Sequence, residues 1–419
     1  MSNPIAPLLS SFGILLIGQG VLLSFLPLFA RTLGWSDADI GVTGAMYYLG
    51  FIVGCVMVPR MLSRSGHIRV FLSLAGLSAA CILVLEVSSQ YWLWLTLRFC
   101  IGWCLAAIYV TTESWLNEHS SNESRGKILS IYVLVTLIGI ALGQQLLAIL
   151  PFDILFRVGA TIMLLSLLPL GLFATEQPMN LTPTSLSPGM LKRLPLVASA
   201  GIFLSGIVTG SLWTMAPLVG DSKGLSAAMI GYMMNAIVLG GALFQYPLGA
   251  ASDLLGRHRL IGAIAVGCVG VALVVLTLPA METITLMFVM FLFGGTSLTL
   301  YALCVADAHD KSTLSRTEIS ALLLLLNGAG SMIGPIMTGA MTTFTGDALF
   351  LVAALSMSGL LLLMSGNHFY GGARSMVTRA YYYSIPDGTL KLNGVDGSVA
   401  GLLPGADLLP PVVMGTGNR

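Results

Sequence analysis

The chain has 419 residues, of which 56% are hydrophobic and only 9% are charged, and its mean hydropathy is +0.90. A water-soluble domain carries about 25% charged residues, so this composition excludes that class of protein. Nineteen basic and eighteen acidic side chains leave a formal net charge of +1. We therefore predict an integral membrane protein in a lipid bilayer, and we expect no nucleic-acid partner.

Twelve apolar segments are long enough to cross roughly 30 Å of hydrocarbon. A backbone in lipid finds no hydrogen-bond partner outside its own helix, so each segment must be helical. The pattern predicts an all-α membrane protein with twelve transmembrane helices. These spans, numbered 1 to 12 in chain order, cover residues 8–30, 40–60, 67–88, 92–114, 127–149, 155–174, 196–218, 228–251, 260–279, 284–307, 319–343 and 347–365.

The two halves of the chain are related by an internal repeat. Residues 27–69 align without a gap with residues 217–259, which lie 190 positions later, and the matches include Pro27-Leu28 with Pro217-Leu218 and Ile40-Gly41 with Ile230-Gly231. A duplicated membrane half is typical of secondary transporters. The repeat predicts an N-terminal six-helix bundle (1–174), a central cytoplasmic linker (175–195), a C-terminal six-helix bundle (196–365) and a flexible cytoplasmic tail (366–419).

The basic residues predict the orientation in the membrane. Fifteen of the nineteen lysines and arginines fall in alternate loops, in the linker and in the tail. The remaining four are Arg31, Arg157 and Lys223 in the other loops and Arg98 inside span 4. Because cytoplasmic loops carry the excess of Lys and Arg, we expect both termini to be cytoplasmic in a bacterial inner membrane.

No cluster of residues indicates a metal, a cofactor or catalysis. The six cysteines fall inside spans, and no histidine or acid joins Cys100 and Cys104 at ligand spacing. The chain lacks His-Glu-x-x-His and a Gly-Lys-Ser/Thr phosphate loop. We predict no metal, no disulfide, no cofactor and no enzyme activity. The five histidines lie at loop positions, where we expect them to be solvated.

One loop resembles the signature of a known family. Between spans 8 and 9 the chain reads Gly249-Ala-Ala-Ser-Asp253-Leu-Leu-Gly256-Arg257-His-Arg259, which is similar to the G-x-x-x-D-[RK]-x-G-[RK]-[RK] loop of the major facilitator superfamily. The resemblance covers nearly all of residues 8–365. It implies two pseudo-symmetric six-helix bundles and secondary active transport by alternating access. The gate residues that it implies are Arg64, Gly66, Asp253, Gly256 and Arg257.

The first copy of this loop, between spans 2 and 3, departs from the signature. Pro59 and Ser63 stand where the first Gly and the Asp belong. This departure, together with Glu113-Ser114-Trp115-Leu116-Asn117 and Ser124-Arg125-Gly126, resembles the YcaD-type branch of the superfamily. That resemblance carries no substrate class.

Two ionisable residues lie in span 4. Arg98-x-x-x-Gly102 is similar to the superfamily's span-4 motif, whose arginine assists proton transfer. Arg98 would bind an anionic group or hold an acid ionised; the alternatives are snorkelling to the headgroups and a fixed ion pair. Glu113 lies fifteen residues further along the helix, roughly 22 Å away. It would carry a coupled proton, act as a gate by bonding to Arg64 or to the Arg125 loop, or do neither.

In this superfamily spans 1, 4, 7 and 10 line the cavity, so their polar and aromatic residues are candidates for substrate contacts. The few charges and several aromatic rings favour an amphipathic or weakly charged small molecule. Each residue has the alternative of holding neighbouring helices together. The candidate substrate-binding residues are Gln19, Arg98, Trp103, Tyr109, Trp213, Thr214, Thr299 and Tyr301.

Two glycine pairs occupy equivalent places in the halves, Gly139/Gly143 and Gly330/Gly334. Small residues at this spacing let helices approach closely, and we expect these pairs to form contacts between moving halves. Gly139-x-x-x-Gly143 also resembles part of the antiporter motif, which favours export. The sequence thus predicts a monomeric secondary transporter that is coupled to protons and exports its solute. The alternative is a transport-inactive membrane sensor on the same fold.

Overall fold

The computed structural model describes residues 5–120, 125–173, 188–278 and 281–381. The chain divides into a compact unit of residues 1–364 and a second unit of residues 365–419. Within the described residues all regular structure is helical. Twelve of these helical segments are long and apolar enough to cross a membrane. The predicted all-α class with twelve transmembrane spans is confirmed.

The described helices follow the predicted spans, and the sixth span is divided into two helices. Most of the predicted linker lies outside the described residues, apart from a short 3-10 helix at Pro188–Arg193, and so does the tail beyond Tyr381. A second 3-10 helix spans Phe152–Ile154. The α-helices are α1 (Ile5–Thr32), α2 (Asp37–Ser65), α3 (His67–Val87), α4 (Tyr91–Glu118), α5 (Arg125–Ile149), α6 (Leu155–Leu165), α7 (Leu167–Phe173), α8 (Leu196–Ser222), α9 (Ala227–Leu255), α10 (Arg257–Thr277), α11 (Thr283–Lys311), α12 (Arg316–Met341) and α13 (Ala348–Tyr381).

The break between α6 and α7 has a local cause. Pro169 has no backbone N–H, and its ring clashes with the carbonyl four residues earlier, so the helix is interrupted at Ser166. The backbone groups at this break still need partners in a membrane. The Leu170 N–H donates to the Ser11 hydroxyl of α1 at 2.9 Å. The neighbouring helix thus supplies the missing hydrogen bond.

Glycines bring the same helix pairs together in both halves. A Cβ atom on Gly50 of α2 would collide with the Phe99 carbonyl of α4, and one on Gly240 of α9 would collide with the Phe291 carbonyl of α11. Gly50 and Gly240 are equivalent positions of the sequence repeat. The repeat is therefore preserved in the backbone contacts of α2 with α4 and of α9 with α11.

The glycine pairs of α5 and α12 also pack within a half, so their expected place between moving halves is wrong. Gly143 faces the Ile17 carbonyl of α1, and Gly334 faces the Ile207 carbonyl of α8. Both contacts hold the first and fifth spans of a half together. The equivalence of the two glycine pairs in the repeat indicated that both halves use the same kind of contact, but it did not show which helix each pair faces.

The loops that follow α2 and α9 turn sharply at Gly66 and Gly256. These residues have φ of 78° and 85°, a region that side chains with a Cβ rarely adopt. The N–H of each turn glycine donates to a carbonyl of the preceding helix, Leu62 and Ser252 respectively. We call the end of the bundle that holds these two glycines the linker face, and the end that holds Gly34 and Gly224 the opposite face.

The two halves meet mainly through three helix pairs, α2 with α12, α5 with α9, and α1 with α8. The closest approaches of α2 and α12 begin at the opposite face, where a Cβ on Gly339 would collide with the Asp37 carbonyl. They reach as far as Gly328, which packs against Ile52 near the middle of α2. The halves therefore join over the portion of the bundle nearer the opposite face.

Candidate functional site

A cavity of about 370 Å³ lies between the two halves. Its lining combines several aromatic rings with a few polar groups and one acid, which suits a small amphipathic molecule. The N-terminal half supplies Gln19, Leu23, Tyr47, Tyr48, Phe51, Tyr109, Val110, Glu113, Tyr132 and Ile140, and the C-terminal half supplies Trp213, Tyr301, Leu324, Asn327, Gly328 and Ser331.

A smaller space of about 30 Å³, which we call the alcove, adjoins this central cavity. Arg98 and Thr214 line the alcove and are absent from the lining of the central cavity. Leu26 and Pro27 of α1 also line it, which places it toward the opposite face. The two spaces share Gln19, Leu23, Tyr47, Tyr48 and Trp213.

A chain of hydrogen bonds connects the polar groups of the two spaces. The Tyr109 hydroxyl donates to Gln19 Oε1 at 3.3 Å, and Gln19 Nε2 donates to the Tyr47 hydroxyl at 3.3 Å. The Arg98 guanidinium carbon lies 4.8 Å from the centre of the Tyr47 ring. Its Nε donates to the Thr43 carbonyl at 3.4 Å. Gln19 is therefore held in a fixed position between the central cavity and the alcove.

Glu113 occupies the part of the central cavity nearer the linker face. Its Oε1 accepts a hydrogen bond of 2.9 Å from the Tyr132 hydroxyl of α5. The Tyr132 ring stacks on Phe12 with centroids 5.2 Å apart, and Phe12 also packs against the edge of Tyr109. The Glu113 side chain is solvent-exposed, and among the described residues it forms no ion pair with Arg64. A tyrosine from a neighbouring helix thus orients this carboxyl group.

The two halves are joined at the opposite face by polar contacts. Arg31 of α1 pairs with Asp221 of α8 at 2.8 Å and with Asp37 of α2 at 2.6 Å. Positions 31 and 221 are equivalent in the repeat, so this pair joins matching points of the two halves. Closer to the centre, Asn235 of α9 donates to Gln145 of α5 at 3.2 Å. Each of these contacts between the halves lies toward the opposite face.

Two glycine contacts with matching positions complete the closure. Gly41 of α2 faces the Pro335 carbonyl of α12 so closely that a Cβ would collide with it. Gly231 of α9 faces the Gln144 carbonyl of α5, and a Cβ there would lie 2.8 Å from the oxygen. Gly41 and Gly231 are equivalent in the repeat. Two equivalent contacts, each between a glycine of one half and a carbonyl of the other half, therefore close the opposite face.

The predicted gate residues lie at the linker face. Arg257 pairs with Asp310 of α11 at 2.8 Å, whereas the side chain of Asp253 lies outside the described residues. Arg64 is exposed at the end of α2. Arg257 is thereby attached to a helix of its own half.

His67 differs from the solvated histidine that its position predicts. Its side chain is fully buried, and its Nε2 lies 3.2 Å from the Ser114 hydroxyl of α4. Its ring also packs against Trp115. Burial follows because α3 begins against α4, so a residue at a helix end is covered by a neighbouring helix.

Comparison with known proteins agrees with this architecture. The family model described as Major Facilitator Superfamily matches residues 8–198 and 198–368, one match in each half. The chain belongs to the major facilitator superfamily. It is 31% identical over 375 residues to "Uncharacterized MFS-type transporter YcaD" of Escherichia coli O17:K52:H18 (strain UMN026 / ExPEC), with 87% of this chain and 95% of that relative covered. The protein of the same name from Escherichia coli (strain K12 / DH10B) matches to the same extent.

Solved structures of the major facilitator superfamily share the fold. A mutant of the nucleoside transporter NupG has a TM-score of 0.73 at 13% identity, covering 87% of this chain and 99% of that one. A bacterial homologue of the human lysosomal transporter Spinster, in an inward-facing and occupied conformation, has a TM-score of 0.66 at 16% identity, covering 92% and 100%. The expected superfamily and its YcaD-like branch are confirmed, and the chain is a membrane-integrated transporter of this family.

The structure brings most of the candidate substrate residues of this superfamily member to one place. Gln19, Tyr109, Trp213 and Tyr301 line the central cavity, whereas Arg98 and Thr214 join Gln19 and Trp213 in the alcove. The other two candidates lie elsewhere. Trp103 packs between α2, α3 and α4 beside Gly54. Thr299 donates to the Gly295 carbonyl of its own helix at 2.6 Å and lines a space between α9 and α11.

Sequence reasoning missed the contribution of the second and fifth spans. Tyr47, Tyr48 and Phe51 of α2 and Tyr132 of α5 line the central cavity. Two consecutive tyrosines in the middle of an apolar span were the available signal, because phenolic hydroxyls in lipid need partners.

Proposed function

We propose that the protein is a proton-coupled secondary transporter that moves a small amphipathic solute by alternating access. The observation that carries the proposal is a central cavity that lies between two repeated halves and is closed on one side by contacts between them. Glu113 lies in this cavity, hydrogen-bonded to Tyr132. Transporters of repeated design bind their substrates at the interface of the repeats.

The asymmetry of the contacts supports an inward-facing state. The basic loops indicate a cytoplasmic linker face, with both termini inside and the protein in a bacterial inner membrane. The contacts of Arg31 with Asp221 and of Gly231 with Gln144 close the opposite, external face. In the other state these contacts would separate and the linker face would close, with the Gly66 and Gly256 turns among the moving parts. The direction that we propose is export, and the acting unit is a monomer.

Flux in proteoliposomes tests this function. Solutes that raise the melting temperature of the purified protein, found among arylalkyl acids, amines and amides, serve as the probes. We expect an imposed pH gradient to drive their accumulation and a protonophore to abolish it. A protein that binds a probe but moves none of it under any gradient would be the sensor, and the transport proposal would fail.

The variant Glu113→Gln tests the coupling residue. Glutamine keeps the size of the side chain and a hydrogen bond with Tyr132, but it carries no titratable proton. We expect exchange of the probe across the membrane to persist while its dependence on the pH gradient disappears. Glu118→Gln, at the exposed end of the same helix, is the matched control and should remain coupled. Full coupling in Glu113→Gln would exclude this residue as the proton carrier.

A further inference from the structure

Arg98 is a cation in the alcove without an acidic partner. Within the described residues it forms no ion pair, and its polar contacts are the Thr43 carbonyl at 3.4 Å and the Tyr47 ring at 4.8 Å. Neither contact carries a negative charge. A charged side chain inside a membrane is costly and marks a functional site by default. The alcove therefore contains a positive charge that a ligand can neutralise.

The acids on the surrounding helices are occupied elsewhere. On α2, Asp37 pairs with Arg31 at 2.6 Å, and Asp39 accepts from the Ser36 hydroxyl at 2.6 Å. On α3, Glu86 pairs with Arg157 at 3.0 Å. On its own helix, Glu113 is fifteen residues away, roughly 22 Å along the axis. These positions argue against a fixed ion pair as the role of Arg98.

We propose that the substrate is an amphipathic carboxylate, with its carboxylate paired to Arg98 in the alcove and its apolar body in the central cavity. This assignment rests on the proposed transport function and names the chemical class of the solute. The rings of Tyr48 and Trp213 line both spaces, and they cover the junction of head group and body. The proton-coupling carboxyl of Glu113 lies in the cavity beside the apolar body.

The size and chemistry of the alcove favour a carboxylate over other anions. A volume of about 30 Å³ holds roughly two water-sized groups, which matches the two carboxylate oxygens. The planar guanidinium of Arg98 presents paired donors with the spacing of those oxygens. Thr214, on α8 of the other half, adds a hydroxyl to the same lining. A bound carboxylate would therefore contact both halves where they meet.

A matched ligand series tests the proposal on the purified full chain. The probes are arylalkanoic acids from phenylacetate to 6-phenylhexanoate, each with its amine and its primary amide. We expect thermal stabilisation by acids and none by the paired amines and amides. Arg98→Gln should weaken binding of the acids by about 10- to 100-fold, the effect of losing hydrogen bonds to a charged group. Arg98→Lys should retain part of it, and Arg60→Gln, an exposed charge that lines neither space, should change nothing.

A second measurement keeps the test decisive if Arg98→Gln does not fold. Phenylglyoxal modifies arginines, and peptide mass spectrometry measures the reaction at Arg98 and at Arg157 in the native protein. The acids should slow modification of Arg98 by at least five-fold and leave Arg157 unaffected. Stabilisation by amines or amides alone, no response to any acid, or no protection of Arg98 would each overturn the proposal. Binding of acids without flux would refute only the transport function, whereas flux of neutral solutes that is unchanged in Arg98→Gln would refute only the carboxylate site.

Discussion

Replacing Gly231 with alanine perturbs the closure of the opposite face at a single atom. The new Cβ would lie 2.8 Å from the Gln144 carbonyl oxygen, whereas ordinary contact begins near 3.4 Å. The obstacle is backbone, so no side-chain rotation can relieve it. Helices α5 and α9 would have to separate by about 0.6 Å, the difference between these distances, and overpacking of this kind costs about 1–3 kcal/mol.

This cost applies only to the state in which α5 and α9 are in contact. In the proposed outward-open state the two helices are apart, and the added methyl group meets no carbonyl. The equilibrium should therefore shift toward the outward-open state by roughly 5- to 150-fold. Gly41→Ala, at the equivalent contact with the Pro335 carbonyl, should shift it in the same direction.

Distances between spin labels measure this shift. Gln90 and Glu282 are exposed residues that precede α4 and α11 at the opposite face, and neither side chain caps its helix. In a variant without the native cysteines, labels at these two positions report the distance between the halves by pulsed electron resonance. We expect the population with the longer distance to grow in Gly231→Ala. Gly76→Ala, in α3 with open space around its Cβ position, is the control.

An unchanged distance distribution in both Gly231→Ala and Gly41→Ala would refute this reasoning. It would mean that the contacts between the halves adjust without opening, so the closure would not depend on close backbone approach. An equal shift in Gly76→Ala would show that added helix propensity, and not the clash, moves the equilibrium.

Two further predictions concern the ends of the bundle. Arg31→Gln removes a partly exposed ion pair with Asp221 that is worth at most about 1 kcal/mol. The variant should therefore favour opening of this face by no more than about five-fold, and the effect should disappear at high salt. An effect that persists at high salt in the same spin-label assay would contradict this prediction. Gly256→Ala places a residue with a Cβ at φ of 85° and should lower the free energy of unfolding by about 1–3 kcal/mol, as measured by thermal unfolding in detergent. Gly270→Ala, which has open space around its Cβ position, should not lower it. Equal stabilities of the two variants would show that the turn relaxes.

The spans, the repeat and the family were predictable because each depends on local sequence. A bilayer forces every spanning segment to satisfy its own backbone hydrogen bonds, so hydropathy and length alone locate the helices. Duplication is visible as matching residues 190 positions apart, and the loop at residues 249–259 carries the family signature. The helix ends lie outside the predicted apolar segments, because α2 and α9 begin at the serine caps Ser36 and Ser226.

The candidate site was predicted only in part, because the sequence does not say which helix faces which. Gln19, Tyr109, Trp213 and Tyr301 were found by assigning four spans to the cavity. Tyr47 and Tyr132 were missed, since spans 2 and 5 also contribute and apolar helices give almost no periodic signal when both lipid and protein surround them.

Tertiary packing decided the partners of the glycines and of the charges. Gly139, Gly143 and Gly231 each have an equivalent glycine in the other half, yet the first two pack within a half and Gly231 closes the opposite face. The sequence also determined that Arg98 lies inside a span. Only the folded structure decided that it faces the alcove with no acidic partner among the described residues. Asp37 and Asp39 are held by Arg31 and by the Ser36 cap, which are close to them in the chain, and Glu86 of α3 pairs with Arg157 of α6, which is distant in the chain.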